Sequence, residues 1–303
     1  MKNMKKKNYS VAVIGLGSMG MGAATSCILA GLNTYGIDIN SEPLDALAKA
    51  GAAGVAGNCS EFSKELDSIL LLVVNAHQVN TILFEDGLVD HLRPGSGVMV
   101  SATMSVQDAQ DIGKRLAAKD LLMLDAPVSG GAAKAGRGEM TIMAAGSEQA
   151  FNKLTPVLDA TASKVFRIGS EIGMGATVKI IHQLLAGIHI AAGAEAMAMA
   201  AKAKIPLDLM YEVVTNAAGN SWMFENRMKH VVDGDYTPKS MVDIFVKDLG
   251  IVTDAAQALN FPLYLGSTAY QMFTSASNDG HGQEDDAAVI KIFKGIELPD
   301  RQK

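Results

Sequence analysis

The sequence predicts an α/β protein: a doubly wound, mainly parallel sheet followed by an all-α domain, the two joined by a long interdomain helix. Three observations carry this. Short apolar, β-branched runs alternate with helical patterns as far as residue 168. A glycine-rich turn follows the first of those runs. Past residue 204 the β pattern disappears and only helical periodicity is left. A chain of 303 residues suggests about two domains. The expected boundary lies near Ser170, giving residues 1–170 and 171–303.

Residues 10–14 (SVAVI) read as the first strand. Gly15, Leu16, Gly17, Ser18, Met19 and Gly20 follow as G-x-G-x-x-G. An alanine-rich helix pattern then runs to Gly31, a good residue just past a helix end. Residues 33–37 form a second strand, and it ends on Asp38, 18 residues beyond Gly20. A lone glycine fingerprint is weak. Strand, glycines, helix, strand and terminal acid in this order place it in the context that a Rossmann-type dinucleotide-binding unit requires. The glycines let the chain turn and let a pyrophosphate approach the helix amino terminus. Asp38 can accept hydrogen bonds from a ribose 2′-hydroxyl and would repel a 2′-phosphate, so NAD is expected rather than NADP. The bland alternative is an accidental glycine-rich turn.

Residues 68–74 (SILLLVV) are a continuous apolar run, the mark of a parallel strand buried on both faces. Asn75, Ala76 and His77 follow its carboxyl end, where ligands lie in such sheets; His77 reads as a loop residue, with no acid partner evident. Residues 97–101 are the next strand, with Thr103 just past it. Residues 105–118 look helical and 121–124 strand-like. The segment DAPVSGGAAKAGRGEM then spans residues 125–140 and reads as too rich in small residues to be core. Ser129, Gly130 and Gly131 can present successive backbone N–H groups to an anion, or the segment is a plain flexible hairpin. Residues 141–145 and 164–168 add two strands.

The stretch 169–204 is the expected joint. Gly173 and Gly175 mark a tight turn or close approach. No proline follows until Pro206, which allows a helix of roughly 25 residues. It is apolar nearly all round, so burial on every side is expected. Lys179, His182 and Gln183 stand out on it, and spacings of three and four put them on one face. Desolvation and the positive helix end both favour a neutral amine at Lys179, hence a general base. The alternative is a lysine that snorkels to solvent. Beyond Pro206, which opens a helix ending near Gly219, helices are expected over residues 222–232, 240–259, 262–275 and 285–293. Ser240 and Asp243 resemble a capping box for the helix over residues 240–259.

Net charge is −6 and the pI near 5.5, which argues against nucleic acid as a partner. No run reads as a bilayer span, since the best candidate contains His189 and Glu195. The start, MKNMKKKNYS, has four lysines and no apolar stretch of a signal peptide; it reads as a solvated stub. Cys27 and Cys59 are the only cysteines and read as buried small hydrophobes in a reducing, cytoplasmic setting. No metal site and no membrane partner are expected.

Four segments in order, GLGSMG at residues 15–20, DAPVSGG at 125–131, GMGATVK at 173–179 and KDL at 247–249, resemble those of the β-hydroxyacid dehydrogenases, the 3-hydroxyisobutyrate dehydrogenase-like group. The resemblance covers nearly the whole chain. It implies a catalytic role for Lys179, binding of the substrate carboxylate at Ser129, Gly130 and Gly131, and places for Thr103 and Lys247 at the cofactor and substrate. Where the family usually has asparagine three and four residues after the lysine, this chain has His182 and Gln183. These departures resemble the subgroup that oxidises L-threonate at C2, with 3-hydroxyisobutyrate or tartronate semialdehyde as the alternative substrate class. Histidine and glutamine add donors and acceptors for extra hydroxyls. The expectation is an NAD-dependent dehydrogenase of a small hydroxy acid, working as a homo-oligomer. A non-catalytic NAD-binding module or an imine reductase would be expected to lack the lysine.

Overall fold

The computed structural model describes residues 9–301. Residues 1–8 of the expected basic stub lie outside the described residues. The chain divides into two compact units, Met1–Lys179 and Ile180–Lys303.

In the first unit nine strands form one sheet: β1 (Ser10–Ile14), β2 (Asn33–Ile37), β3 (Gly54–Ala56), β4 (Ser68–Leu71), β5 (Gly97–Val100), β6 (Leu122–Asp125), β7 (Val128–Ser129), β8 (Met140–Ala145) and β9 (Ala162–Gly169). The order β3-β2-β1-β4-β5-β6 is parallel throughout. β8 then runs antiparallel to β6 and β7 and parallel to β9. Among the described residues six α-helices lie between the strands: α1 (Ser18–Leu29), α2 (Ser41–Lys49), α3 (Ala76–Asn80), α4 (Val106–Ala117), α5 (Gly131–Ala135) and α6 (Glu148–Thr161). Strand alternation sorts the core into two layers. Ala12, Ile14, Ile69, Leu71, Val98 and Val100 face one side, with Ile112 and Leu116 of α4. Val11, Val13, Leu70, Met99 and Leu124 face the other, with Ala23 and Cys27 of α1 and Leu154 of α6. The strand order reverses between β1 and β4, and in such sheets the crevice at that switch point takes the ligand.

Two expectations for this unit need correction. The apolar run 68–74 is strand only as far as Leu71. Leu72 still donates to Ile14 O, but the Val74 amide is taken by the Gln78 side chain. The start of the small-residue segment is core after all: Asp125, Ala126 and Val128 are buried. Small side chains there let other backbones come close, as at Gly22, where a Cβ would stand 2.5 Å from the Gly136 nitrogen. Cys27 and Cys59 are buried as expected, and burial pushes both thiols up to about 12.

α7 (Met174–Lys202) begins in the first unit and continues into the second. Beyond α7 the described residues of the second unit form α8 (Leu207–Thr215), α9 (Trp222–Asp233), α10 (Val242–Ala258), α11 (Tyr264–Ala276), a π-helical turn, Ser277–His281, and a final 3₁₀ helix, Asp286–Ile292. Its core joins Ile190, Ala194 and Met197 of α7 to Phe224, Met228, Phe245, Leu249, Phe273 and Val289. Three expectations change here. α7 is not buried all round, because Ile181, Leu185 and Met199 are exposed. By length and composition it is apolar enough to cross a membrane, yet half of its most apolar window is buried, as in a core helix. The residue before α10 is Met241, without a side-chain cap. Asp243 instead accepts from Ser277 Oγ at 2.6 Å and Gln283 Nε2 at 2.8 Å, so tertiary partners displace the capping box. The last helix is 3₁₀ rather than α, opening with an i to i+3 bond from Ala288 N to Asp285 O.

Candidate active site

The three fingerprint glycines are required for different reasons. Gly15 has φ +87°, and a Cβ there would also stand 2.9 Å from Leu72 O. A Cβ on Gly20 would fall 1.7 Å from Gly15 O. The fold therefore forbids side chains at both. Gly17 has an ordinary φ of −65°, and a Cβ there would meet nothing within 4 Å. Packing within the chain does not explain this glycine. Gly17 also has no side chain with which to cap α1, so the first-turn amides around Ser18 and Met19 are donors suited to an anion. Asp38 stands at the end of β2. Its Oδ2 accepts from the Leu16 amide at 2.7 Å and its Oδ1 from Asn40 N at 2.9 Å, so the acid ties the glycine turn to the second strand. These residues fit a dinucleotide: a glycine cradle, a helix amino end and an acid beside them. Thr103 is half-buried in the loop after β5.

Lys179 lies in the second turn of α7 and is only 7% exposed. Its Nζ donates to Val128 O at 2.9 Å. Val128 and Ser129 form β7, and the next two residues are left-handed: Gly130 at φ +133° and Gly131 at φ +70°. The structure thus brings the lysine to the strand that leads into the proposed anion-binding turn. Asp125, which sequence reasoning passed over, is buried at the end of β6. Its Oδ2 accepts from Gly173 N and Ala176 N, both at 2.9 Å. Burial raises its pKa above the usual carboxylate value, opposed by these amide donors. The available signal was an acid closing an apolar strand.

In the second unit Gln183 is buried and its Nε2 donates to Asp248 Oδ2 at 2.6 Å. Lys247 Nζ donates to the other oxygen, Oδ1, at 2.5 Å. His182 is exposed, with Nδ1 3.1 Å from Gln183 Oε1. The amide nitrogen of Gln183 must face the carboxylate, so its oxygen faces the imidazole, and the imidazole proton sits on Nδ1 in this arrangement. Asp248 therefore organises three of the predicted polar residues, and sequence reasoning gave it no role. Its signal was spacing: it shares the buried face of α10 with Phe245, Leu249 and Val252. His77 and Asn75 have local work in α3, where Asn75 accepts from Gln78 N and His77 Nδ1 lies 3.2 Å from Thr81 Oγ1.

A glycine cradle at the switch point of a parallel sheet, followed by a helical unit, fits the class of two-unit dinucleotide-binding proteins. Residues 10–169 match the model of the NAD binding domain of 6-phosphogluconate dehydrogenase. Residues 173–293 match the NAD-binding domain of NADP-dependent 3-hydroxyisobutyrate dehydrogenase. The chain belongs to this family of NAD-binding hydroxyacid dehydrogenases. It is 69% identical to an L-threonate dehydrogenase of Haemophilus influenzae, over 98% of this chain and 99% of that protein. It is 66% identical to an L-threonate dehydrogenase of Escherichia coli K12, over 96% and 97%. A crystal structure from Salmonella typhimurium, described as 3-hydroxyisobutyrate dehydrogenase, is similar at a TM-score of 0.92 and 64% identity, over 94% of this chain and 100% of that one.

Proposed function

We propose that this protein oxidises L-threonate at C2 to the 2-oxo acid with NAD. The observation that carries the reading is near-full-length identity of 66–69% to proteins named for that activity. The polar set His182, Gln183, Lys247 and Asp248 supports it, since a polyhydroxylated acid needs such partners. Bound NAD supplies the hydride acceptor. Gly15 to Gly20 and Asp38 hold it, with Thr103 and Lys247 as further contacts. The amides of Ser129, Gly130 and Gly131 take the substrate carboxylate. Lys179, in its neutral form, accepts the proton of the C2 hydroxyl as oxidation proceeds, and its ammonium returns that proton in the reverse direction. His182 and Gln183 bind the remaining hydroxyls.

The description of the Salmonella structure favours a second reading, 3-hydroxyisobutyrate or a tartronate semialdehyde-type substrate. Measuring kcat/KM for both acids separates them. A methyl-bearing acid leaves two polar groups unpaired at about 1–3 kcal/mol each, so threonate is expected to be favoured by roughly 30-fold or more. His182→Asn should narrow that ratio; an unchanged ratio, or preference for the methylated acid, overturns the assignment. With NADP the efficiency is expected to fall steeply, because the Asp38 carboxylate meets a like charge; equal use of both cofactors would show that Asp38 does not face the ribose.

We further infer a cytoplasmic homo-oligomer, dimer or tetramer, without nucleic-acid or membrane partners. Two free thiols suit a reducing compartment. Exposed Leu185, Met199, Leu259, Phe261, Tyr264 and Leu265 suit burial against a second copy. Sedimentation as a monomer at micromolar concentration would refute this.

A further inference from the structure

The amino end of α7 is held in an unusual way. A helix start leaves amide donors without intrahelical partners. Here the donors of Gly173 and Ala176 converge on one carboxylate oxygen of Asp125, each at 2.9 Å, and the Gly175 amide is a third donor to the same group. The acid comes from β6, 48 positions before Gly173 in the chain, so this is a tertiary tie. Backbone shape leaves the helix little freedom around it. Gly173 is left-handed at φ +101°. A Cβ on Gly175 would stand 2.4 Å from Asp125 O and 2.8 Å from Met143 O, so the first turn rests directly on the end of β6 and the middle of β8.

Lys179 stands three residues beyond Ala176, and Val128 three residues beyond Asp125. The two segments therefore meet twice: first through the Asp125 carboxylate and the helix start, then through Lys179 Nζ and Val128 O at 2.9 Å. The residues that follow Val128 are Ser129, Gly130 and Gly131. An error in the rotation or axial position of α7's first turns would move the amine along that strand.

We infer that Asp125 is the positioning residue for Lys179: its buried carboxylate sets the register of α7 against the segment 125–131, and so fixes where the amine stands for proton transfer. This rests on the general-base reading of Lys179. A cap that only stabilised the helix would lower the melting temperature of the protein and leave kcat alone. A positioning residue acts on kcat through the lysine. A misplacement of about 1 Å can cost about 10²-fold in rate.

The test is a double-mutant cycle on the full chain, with rates expressed per NAD-binding equivalent so that unfolded protein does not enter. Asp125→Asn keeps shape and one acceptor but removes the charge. It is expected to lower kcat by about 10- to 100-fold, with KM and NAD affinity held within a few-fold. In the Lys179→Ala background the same change is expected to have no further effect on the residual rate. Asp125→Ser, which keeps a shorter hydroxyl acceptor, carries the cycle if the asparagine variant does not fold. Unchanged kcat for Asp125→Asn, or an equal fall in both backgrounds, overturns the inference. Near wild-type turnover of Lys179→Ala alone is a different result, and it would overturn the general-base reading.

Discussion

Two buried carboxylates, one in each unit, are accommodated in opposite ways. Asp125 is surrounded by backbone amides that the fold holds in place. Asp286, at the start of the last 3₁₀ helix and fully buried, faces a guanidinium instead: Arg227 Nε lies 2.7 Å from its Oδ1, without an aligned hydrogen bond. Burial pushes the Asp286 carboxyl up to about 8 against the pull of Arg227, and neighbouring Asp285 raises it further. The difference teaches where a buried charge acts. Amides fixed by glycine-rich backbone bind a carboxylate without a mobile partner, and they stand beside Lys179. The ion pair joins α9 to the last helix, and its contribution follows pH.

The largest effect should separate the regions outright. Lys179→Ala is expected to lower turnover by roughly 10²–10⁴-fold, the usual worth of a positioned acid–base group, with the circular dichroism spectrum unchanged. If stability fell and turnover did not, the lysine would belong with the structural charges of the second unit.

Arg227→Leu should do the reverse. Above about pH 8 the wild type buries an ion pair, and removing one partner of such a pair costs about 3–5 kcal/mol. At pH 6 Asp286 already carries its proton, so the cost should be clearly smaller. Urea unfolding at pH 6 and pH 9 reads the difference; equal losses at both would show that Asp286 is ionised throughout.

The same group gives a signed prediction in the wild type. Between the ordinary value of 3.8 and about 8, Asp286 is ionised in the unfolded chain and protonated in the folded one. The folded state binds the extra proton, so its contribution to stability falls as pH rises through that window and levels off above it. Asp286→Asn should flatten this slope. A slope left intact would assign it to other groups.

The smallest effect tests the contrast inside the first unit. Gly17→Ala should leave the fold intact, since its Cβ meets nothing, and weaken NAD binding by about tenfold, or about 1.4 kcal/mol. Gly20→Ala should unfold or distort the turn, because its Cβ would collide with Gly15 O. NAD titration and thermal melts on the pair settle which glycine serves the ligand and which the backbone.

Sequence alone determined whatever is written in neighbouring residues. The alternation of apolar runs yielded the strand-rich first unit, and Gly15 to Gly20 with Asp38 yielded the candidate nucleotide site, because turn geometry and strand ends depend on residues a few positions apart. Lys179, His182 and Gln183 were legible as polar breaks in an apolar helix. The tertiary structure alone decided the partners of those polar groups. Asp125 meets α7 across 48 positions and Asp248 meets Gln183 across 65. The expected capping box at Ser240 gave way to Ser277 and Gln283, 34 and 40 positions from Asp243. Which side of α7 stays exposed was likewise invisible, since an all-round apolar helix has no periodic signal to show where its neighbours stop. A hydrogen bond needs its partner within about 3 Å, and only the folded chain brings residues so far apart in sequence to that distance.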